Sequence, residues 1–483
     1  MLFNSLDFAI FLPVVFFLFW FVANKNLRTQ NLLIVSASYL FYGWWDWRFL
    51  SLILLSTIVD FSVGIGFSKY KNQNIRKTLL WISVVVNLGI LGFFKYYDFF
   101  LENFINTFSF LGIQFSASSL NIILPVGISF YTFQTLSYTI DVYWRKLEPA
   151  KDFIAFCAFV SFFPQLVAGP IERAKNLLPQ FYTKRTFEYN KAVDGLRQIL
   201  WGLFKKIVIA DNCAEYANLI FNHPSDYSGS TLVLGALFFA FQIYGDFSGY
   251  SDIAIGTARL FGFDLMRNFA FPYFSRDIAE FWRRWHISLS TWFRDYLYIP
   301  LGGSRGNTFV KVRNVFLIFI VSGFWHGANW TFIVWGVLNA IYFLPLLLLR
   351  KNRKYLDVVA QGNYFPGIKE LFRMATTFAL VVIAWIFFRA ESISHAFLYI
   401  SGIFSSSIFA IPHFSEMRNA FFTILFVIAF IIIEWFGREE QYALLILRKV
   451  DFSIVRYSVY YAVVVSIFVF GNFDENPFIY FQF

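Results

Sequence analysis

Charge is what this sequence has least of. Asp, Glu, Lys and Arg make up 14% of its 483 residues, against roughly a quarter in a soluble globular domain. Too few charges are present to cover the surface of a water-soluble protein of this size. Cysteine is scarcer still: Cys157 and Cys213 are the only two, which supports neither a disulfide framework nor a metal cluster. No His-Glu-x-x-His, Cys-x-x-Cys or Gly-x-Ser-x-Gly pattern occurs, so the zinc and serine-hydrolase signatures have no support and no metal is expected. Internal repeats and low-complexity linkers are also missing, so one integral domain over residues 1–483 is the simplest organisation.

Apolar residues fill that space. They form 58% of the chain, and 23% of it is aromatic. Runs long enough to approach the bilayer core fall at Phe8–Ala23, Asn31–Gly43, Leu50–Phe67, Leu79–Phe94, Leu232–Tyr244, Val315–Leu349, Phe372–Phe388, Ala420–Trp435 and Val459–Phe470. The expectation is an all-α polytopic membrane protein embedded in a lipid bilayer. The formal charge of +10 does not indicate nucleic acid, because the basic residues form no single patch. They sit in short clusters between apolar runs, Lys25/Arg28, Lys69/Lys71/Arg76/Lys77 and Arg350/Lys351/Arg353/Lys354, as positive-inside loops do. The first run has no basic residue before it and no small-residue cleavage site after it, so it reads as a retained span with its N-terminus outside. Arg448 and Lys449 before the last run put Phe483 on the outer side as well.

Some stretches fit neither a span nor a soluble loop. The Gly43–Trp47 stretch reads as a turn between two spans, its aromatics at an interface belt. Phe153–Phe163 and Ile199–Ala210, the latter containing Lys205 and Lys206, are too short or too charged to span freely. They read as interfacial or re-entrant, which requires cover by protein or water and hence suggests a cavity.

Phe281–Gly303 is the most unusual stretch. Projected on one helix from Trp282, residues Trp285, His286, Leu289, Phe293 and Tyr296 share a face, while Arg283, Arg284, Ser290, Thr291, Arg294 and Asp295 take the other. The expectation is a single amphipathic helix with His286 on its aromatic side. One reading is an interfacial helix whose arginines meet lipid phosphates; the other is a cavity floor with His286 facing reactants. A second histidine, His326, lies inside the uncharged run Val315–Leu349. As one helix that run would be about 52 Å long, too long for a core of about 30 Å, so it must tilt or break, and the small residues around His326 are the place. His223, His395 and His413 sit in short polar contexts and read as surface residues. Two interior histidines suit proton transfer near neutral pH, such as general-base activation of a hydroxyl.

Trp282-Arg283-Arg284-Trp285-His286, Phe293-Arg294-Asp295-Tyr296 and Phe324-Trp325-His326-Gly327 together resemble the signature of the membrane-bound O-acyltransferases. Tyr296–Gly303, Pro125–Phe130, Ala168–Arg173 and Asp246–Asp252 resemble the alginate O-acetyltransferase branch of that family. The resemblance implies a ring-like multi-helix core with re-entrant and interfacial helices, thin at its centre and crossed by a tunnel. It implies His326 as the essential base and His286 as the second active-site histidine, with no bound cofactor and acetyl-CoA as acyl-donor substrate. A periplasmic SGNH-like acetyltransferase partner and a polysaccharide acceptor follow from the same branch, as does a bacterial inner-membrane location. Arg283 and Arg284 are candidates for the donor phosphates, although lipid phosphates account for the same charges. Trp285 and Trp325, beside the histidines, exclude water or orient the rings, or simply pack. Teichoic acid D-alanylation is the nearest alternative reaction. A transporter, with Asp60, Asp141, Asp246 and Asp252 as its polar path, and a non-catalytic scaffold are competitors from other classes.

Overall fold

The computed structural model describes residues 1–110, 120, 122–473 and 478–479; Phe483 lies outside them. The described residues form helices and no strands. Nine helical stretches among them are long and apolar enough to cross a membrane, so the protein is an all-α, multi-pass membrane protein. One of the sequence expectations changes in detail and another holds. The helix from Leu27 runs through Gly43 to Asp46, and its junction with Leu50–Lys69 lies at Trp47–Phe49 rather than at Gly43–Trp47. The Val315–Leu349 run does break at the histidine, into helices Thr308–His326 and Trp330–Leu348.

The chain divides into two compact units, one of Met1–Ala192 with Thr257–Met266, the other of Val193–Gly256 with Arg267–Phe483. In the first, three helices, Leu50–Lys69, Gln73–Leu91 and Ile128–Tyr143, are joined by polar bonds. The fully buried Asp60 accepts from Ser83, from Asn87 Nδ2 at 2.9 Å and from Thr139 Oγ1 at 3.1 Å. Ser56 Oγ donates to Asn87 Oδ1 at 2.7 Å. Hydroxyls and an amide thus take up the carboxyl of Asp60, and it serves as an interhelical tie. Arg76, part of a basic cluster in sequence, is buried and donates to the carbonyls of Phe67 and Tyr143 at 2.8 and 3.0 Å.

The second unit is built on the long helix Gly229–Leu260, of which Gly229–Gly256 belongs to it. The expected re-entrant piece Ile199–Ala210 is instead the middle of a continuous helical run, Tyr189–Leu203 passing through the wholly buried Phe204–Ala210 into Asp211–Asn222, so protein covers its charges. Lys205 pairs with Asp252 at 2.5 Å and donates to Ser248 at 2.9 Å, while Lys206 sits between Asp211 at 2.7 Å and Asp246 at 2.9 Å. Each buried ammonium is therefore neutralised where it lies. Asp246 also accepts from the backbone N–H of Ile479 at 2.7 Å, and Phe478 packs on Phe247 and Tyr250.

The two helices around His326 are capped in the same way. Asn307 accepts from Val310 N–H and Asn329 from Thr331 N–H, each at 3.0 Å, so each helix starts on an asparagine cap, the second of them two residues after Gly327 ends the first. They pack face to face through glycines. A Cβ on Gly323 would collide with the carbonyl oxygen of Phe332, and one on Gly336 with that of Phe319. Gly323→Ala and Gly336→Ala should each destabilise the protein by about 1–3 kcal/mol through overpacking. A lowered midpoint in thermal size-exclusion measurements checks this; unchanged midpoints would show that the helices separate freely.

Candidate active site

The stretch around His286 is not one helix. Asp277 caps the first segment by accepting from Glu280 N–H at 2.7 Å, and Ile278–Arg284 is helical. Trp285 is then extended, and His286 adopts left-handed backbone with φ 43° and ψ 56° before the helix Ile287–Phe293. The expected continuous amphipathic helix is corrected to two short helices with the histidine at the bend. Backbone bonds to an adjacent strap hold the bend open: Ala270 N–H to Arg284 O and Ile287 N–H to Asn268 O, both 2.9 Å. Those contacts come from residues 14 and 19 positions earlier in the chain, and helical periodicity carries no sign of them.

A cavity of about 430 Å³ opens against this bend, within the range of small-molecule sites. Trp282, Trp285, His286, Leu289 and Phe293 line one side, and Ser322 and His326 another. Both predicted histidines therefore face one space. His286 is 1% exposed, and burial holds its pKa down to about 3, so the ring is neutral at physiological pH. His326 closes the C-terminal end of its helix among rings. Trp325, Trp335 and Phe388 lie edge-on to it at 4.9, 5.2 and 5.3 Å between centroids. Trp325 is also edge-on to His286 at 6.0 Å, and Trp285 packs on Trp385 at 5.0 Å. This aromatic surround fixes both rings in position and keeps bulk water from them. Trp335, on the next helix, and Phe388, distant in sequence, had no signal to mark them.

The arginines divide into two groups. Arg283 and Arg284 do not line the cavity. Arg283 donates to the carbonyls of Asn352 and Tyr355 at 2.8 and 2.6 Å, and Arg284 bonds to Glu280 at 2.8 Å and to the Asp357 carbonyl at 2.8 Å. Glu280 is shared with the buried Arg276 at 3.0 Å. These side chains fasten the loop after Arg350. The cationic side chains that do line the cavity are Arg294, Lys311, Arg350 and Arg353, and no carboxylate joins them in its lining among the described residues. Arg350 and Arg353 read in sequence only as a positive-inside cluster, since loop charge and site charge look alike there. Among the described residues no group of three His, Cys, Asp or Glu side chains is placed to hold a metal ion. His395 bonds through Nε2 to the Phe221 carbonyl at 2.9 Å, and His223 and His413 are exposed.

Residues 39–384 match the sequence model of MBOAT, the membrane-bound O-acyltransferase family, and the chain belongs to that family. It is a membrane O-acyltransferase. More particularly, it is 40% identical over 449 residues to the probable alginate O-acetylase AlgI of Pseudomonas aeruginosa, covering 92% of this chain and 82% of that one. It is 35% identical over 451 residues to a peptidoglycan O-acetyltransferase of Helicobacter pylori, covering 87% and 83%. A teichoic acid D-alanyltransferase of Streptococcus thermophilus is 30% identical over 301 residues, covering 57% and 68%.

Glu280 is 1% exposed between two guanidiniums. Removing its charge as Glu280→Gln should cost about 3 kcal/mol, the lower range for breaking a buried ion pair. Thermal unfolding measures this; a wild-type midpoint would mean that Asp357 and Glu370 suffice for Arg276.

Proposed function

We propose that the protein moves an acetyl group from acetyl-CoA on the cytosolic side of a bacterial inner membrane to a hydroxyl acceptor, for O-acetylation of an exported or cell-wall polysaccharide. The observation that carries this reading is the single cavity onto which His286, His326 and four cations open. Acetyl-CoA is polyanionic with a thin thioester arm, and a basic lining, in which Arg294 is paired with Asp295 at 2.7 Å, suits such a donor. Arg294, Lys311, Arg350 and Arg353 take the phosphate-binding role, and Arg283 and Arg284 support it indirectly by fixing the loop that carries Arg350 and Arg353.

In this mechanism His326 accepts the proton of the attacking hydroxyl as its oxygen bonds to the thioester carbonyl carbon. Collapse of the tetrahedral intermediate breaks the C–S bond, and the imidazolium returns its proton to the departing thiolate. His286 holds the acceptor in line. The aromatic surround keeps water from competing as acceptor. The polysaccharide hydroxyl is reached through a periplasmic SGNH-like acetyltransferase partner. The similarity to alginate and peptidoglycan O-acetyltransferases over most of the chain supports a glycan acceptor. D-alanyl transfer, the reaction in the name of the Streptococcus relative, is the alternative and differs in its donor.

The test uses purified protein in nanodiscs with radiolabelled acetyl-CoA, a small hydroxyl acceptor and, in a parallel arm, the periplasmic partner. His326→Ala should lower CoA release by about 10²–10⁴-fold, the usual weight of a general base, with unchanged thermal stability. Wild-type release by this variant would remove His326 from the chemistry. Arg350→Glu with Arg353→Glu should raise the KM for acetyl-CoA about tenfold, about 1.4 kcal/mol, and flatten its dependence on salt, because the attraction that salt screens is gone. An unchanged KM would assign those charges to the membrane surface.

A further inference from the structure

Asn268 is fully buried beside His286, outside every motif that drew attention in the sequence, and four hydrogen bonds converge on its side chain. Its Oδ1 lies 3.3 Å from the backbone nitrogen of Ser288, 2.9 Å from Ser288 Oγ and 3.2 Å from His286 Nδ1. Its Nδ2 donates to Ser251 Oγ at 3.1 Å. A backbone N–H can only donate, so the amide atom facing Ser288 N is oxygen, and the amide has one orientation. The single proton of the Ser288 hydroxyl is used at 2.9 Å on that same oxygen, and its 3.4 Å approach to His286 Nδ1 is too long to compete. An imidazole nitrogen 3.2 Å from an amide oxygen must then carry the proton.

We infer that Asn268 is a positioning residue that holds His286 as the Nδ1–H tautomer, so that Nε2 meets the reactants as an acceptor and not as a donor. This rests on the reading of His286 as an active-site group and narrows it. A neutral ring in this form can accept the hydrogen bond of an incoming hydroxyl and aim its oxygen at the thioester. It cannot donate to the oxyanion that forms on the thioester carbonyl, which must find its donor elsewhere. Burial keeps His286 neutral, as its lowered pKa indicates, so which nitrogen bears the proton decides what the ring can do. The same asparagine also steadies the backbone. His286 occupies left-handed φ/ψ without being glycine, a conformation costing on the order of 1–3 kcal/mol unless its surroundings impose it. The backbone carbonyl of Asn268 accepts from Ile287 N–H at 2.9 Å while its side chain takes the two Ser288 donors. One residue thus fixes the bend, the ring and the tautomer together.

Wild-type protein with ¹⁵N-labelled histidine, in nanodiscs with acetyl-CoA absent, reads the tautomer directly. The His286 resonances, assigned by their loss in His286→Ala, should show protonated-type nitrogen at Nδ1 and lone-pair-type nitrogen at Nε2. The reverse pattern would overturn the inference whatever the activities are. Asn268→Ala should mix the tautomers and lower kcat by about 10–100-fold, the range for losing an orienting partner, with the KM for acetyl-CoA within about twofold. Asn268→Asp keeps the acceptor for Ser288 and for Nδ1–H, and should restore kcat to within about tenfold of wild type. Unchanged kcat in Asn268→Ala together with a loss in His286→Ala would sink the role of Asn268 and leave that of His286 standing. Unchanged kcat in His286→Ala would instead remove His286 from the reaction, and the nitrogen shifts would still decide the tautomer.

Discussion

A bilayer supplies no water to satisfy a polar group, so every such group at membrane depth must find its partner inside the protein. That constraint organises this chain from end to end. Asp60 is surrounded by Ser83, Asn87 and Thr139 on neighbouring helices. Lys205 and Lys206 are each met by aspartate from the Gly229–Leu260 helix, and Arg276 and Arg284 share Glu280. Asp60, Asp246 and Asp252, three of the four acidic side chains that a transporter would need as a path, are taken up instead in ion pairs and ties. Of the two candidate histidines, His286 bonds to Asn268 and His326 is packed among aromatic rings.

The bend at His286 follows from it as well. A continuous helix would satisfy its own backbone but would leave the histidine as one more side chain on a stripe. Breaking the helix exposes backbone groups, and the strap at Asn268–Ala270 takes them up through two hydrogen bonds. The gain is a corner from which the ring lines a cavity while packing edge-on against Phe247 of the Gly229–Leu260 helix. Arginine is used in two ways around that corner. Planar guanidiniums that reach carbonyls and Glu280 fasten the loop after Arg350, while Lys311, Arg350, Arg353 and Arg294, the last paired with Asp295, give the cavity a basic lining.

Much of this was legible in the chain itself. Composition and apolar run length determined a multi-pass helical protein, because the bilayer thickness sets a length that few other environments require. His286 and His326 stood out because histidine within apolar sequence is costly, and the break at His326 followed from a run too long for one span. Periodicity misled at Trp282–Tyr296, where a 3.6-residue pattern persists across a bend that only distant hydrogen bonds impose. Arg283 and Arg284 drew attention beside the histidine, yet neighbours in sequence point different ways around a corner, and Arg350 and Arg353 reach the cavity from a separate loop.

What the sequence determined by itself, then, is the solvent the chain lives in, its helices and the two histidines, since these depend on local composition and on the cost of burying polar groups. What tertiary structure decided is which charges face the cavity, which brace it, and which nitrogen of His286 carries the proton. Those depend on the direction of hydrogen bonds from residues brought together by folding, Asn268 and Ser251 with Ser288 among them, and direction is a property that no linear pattern of residue types contains.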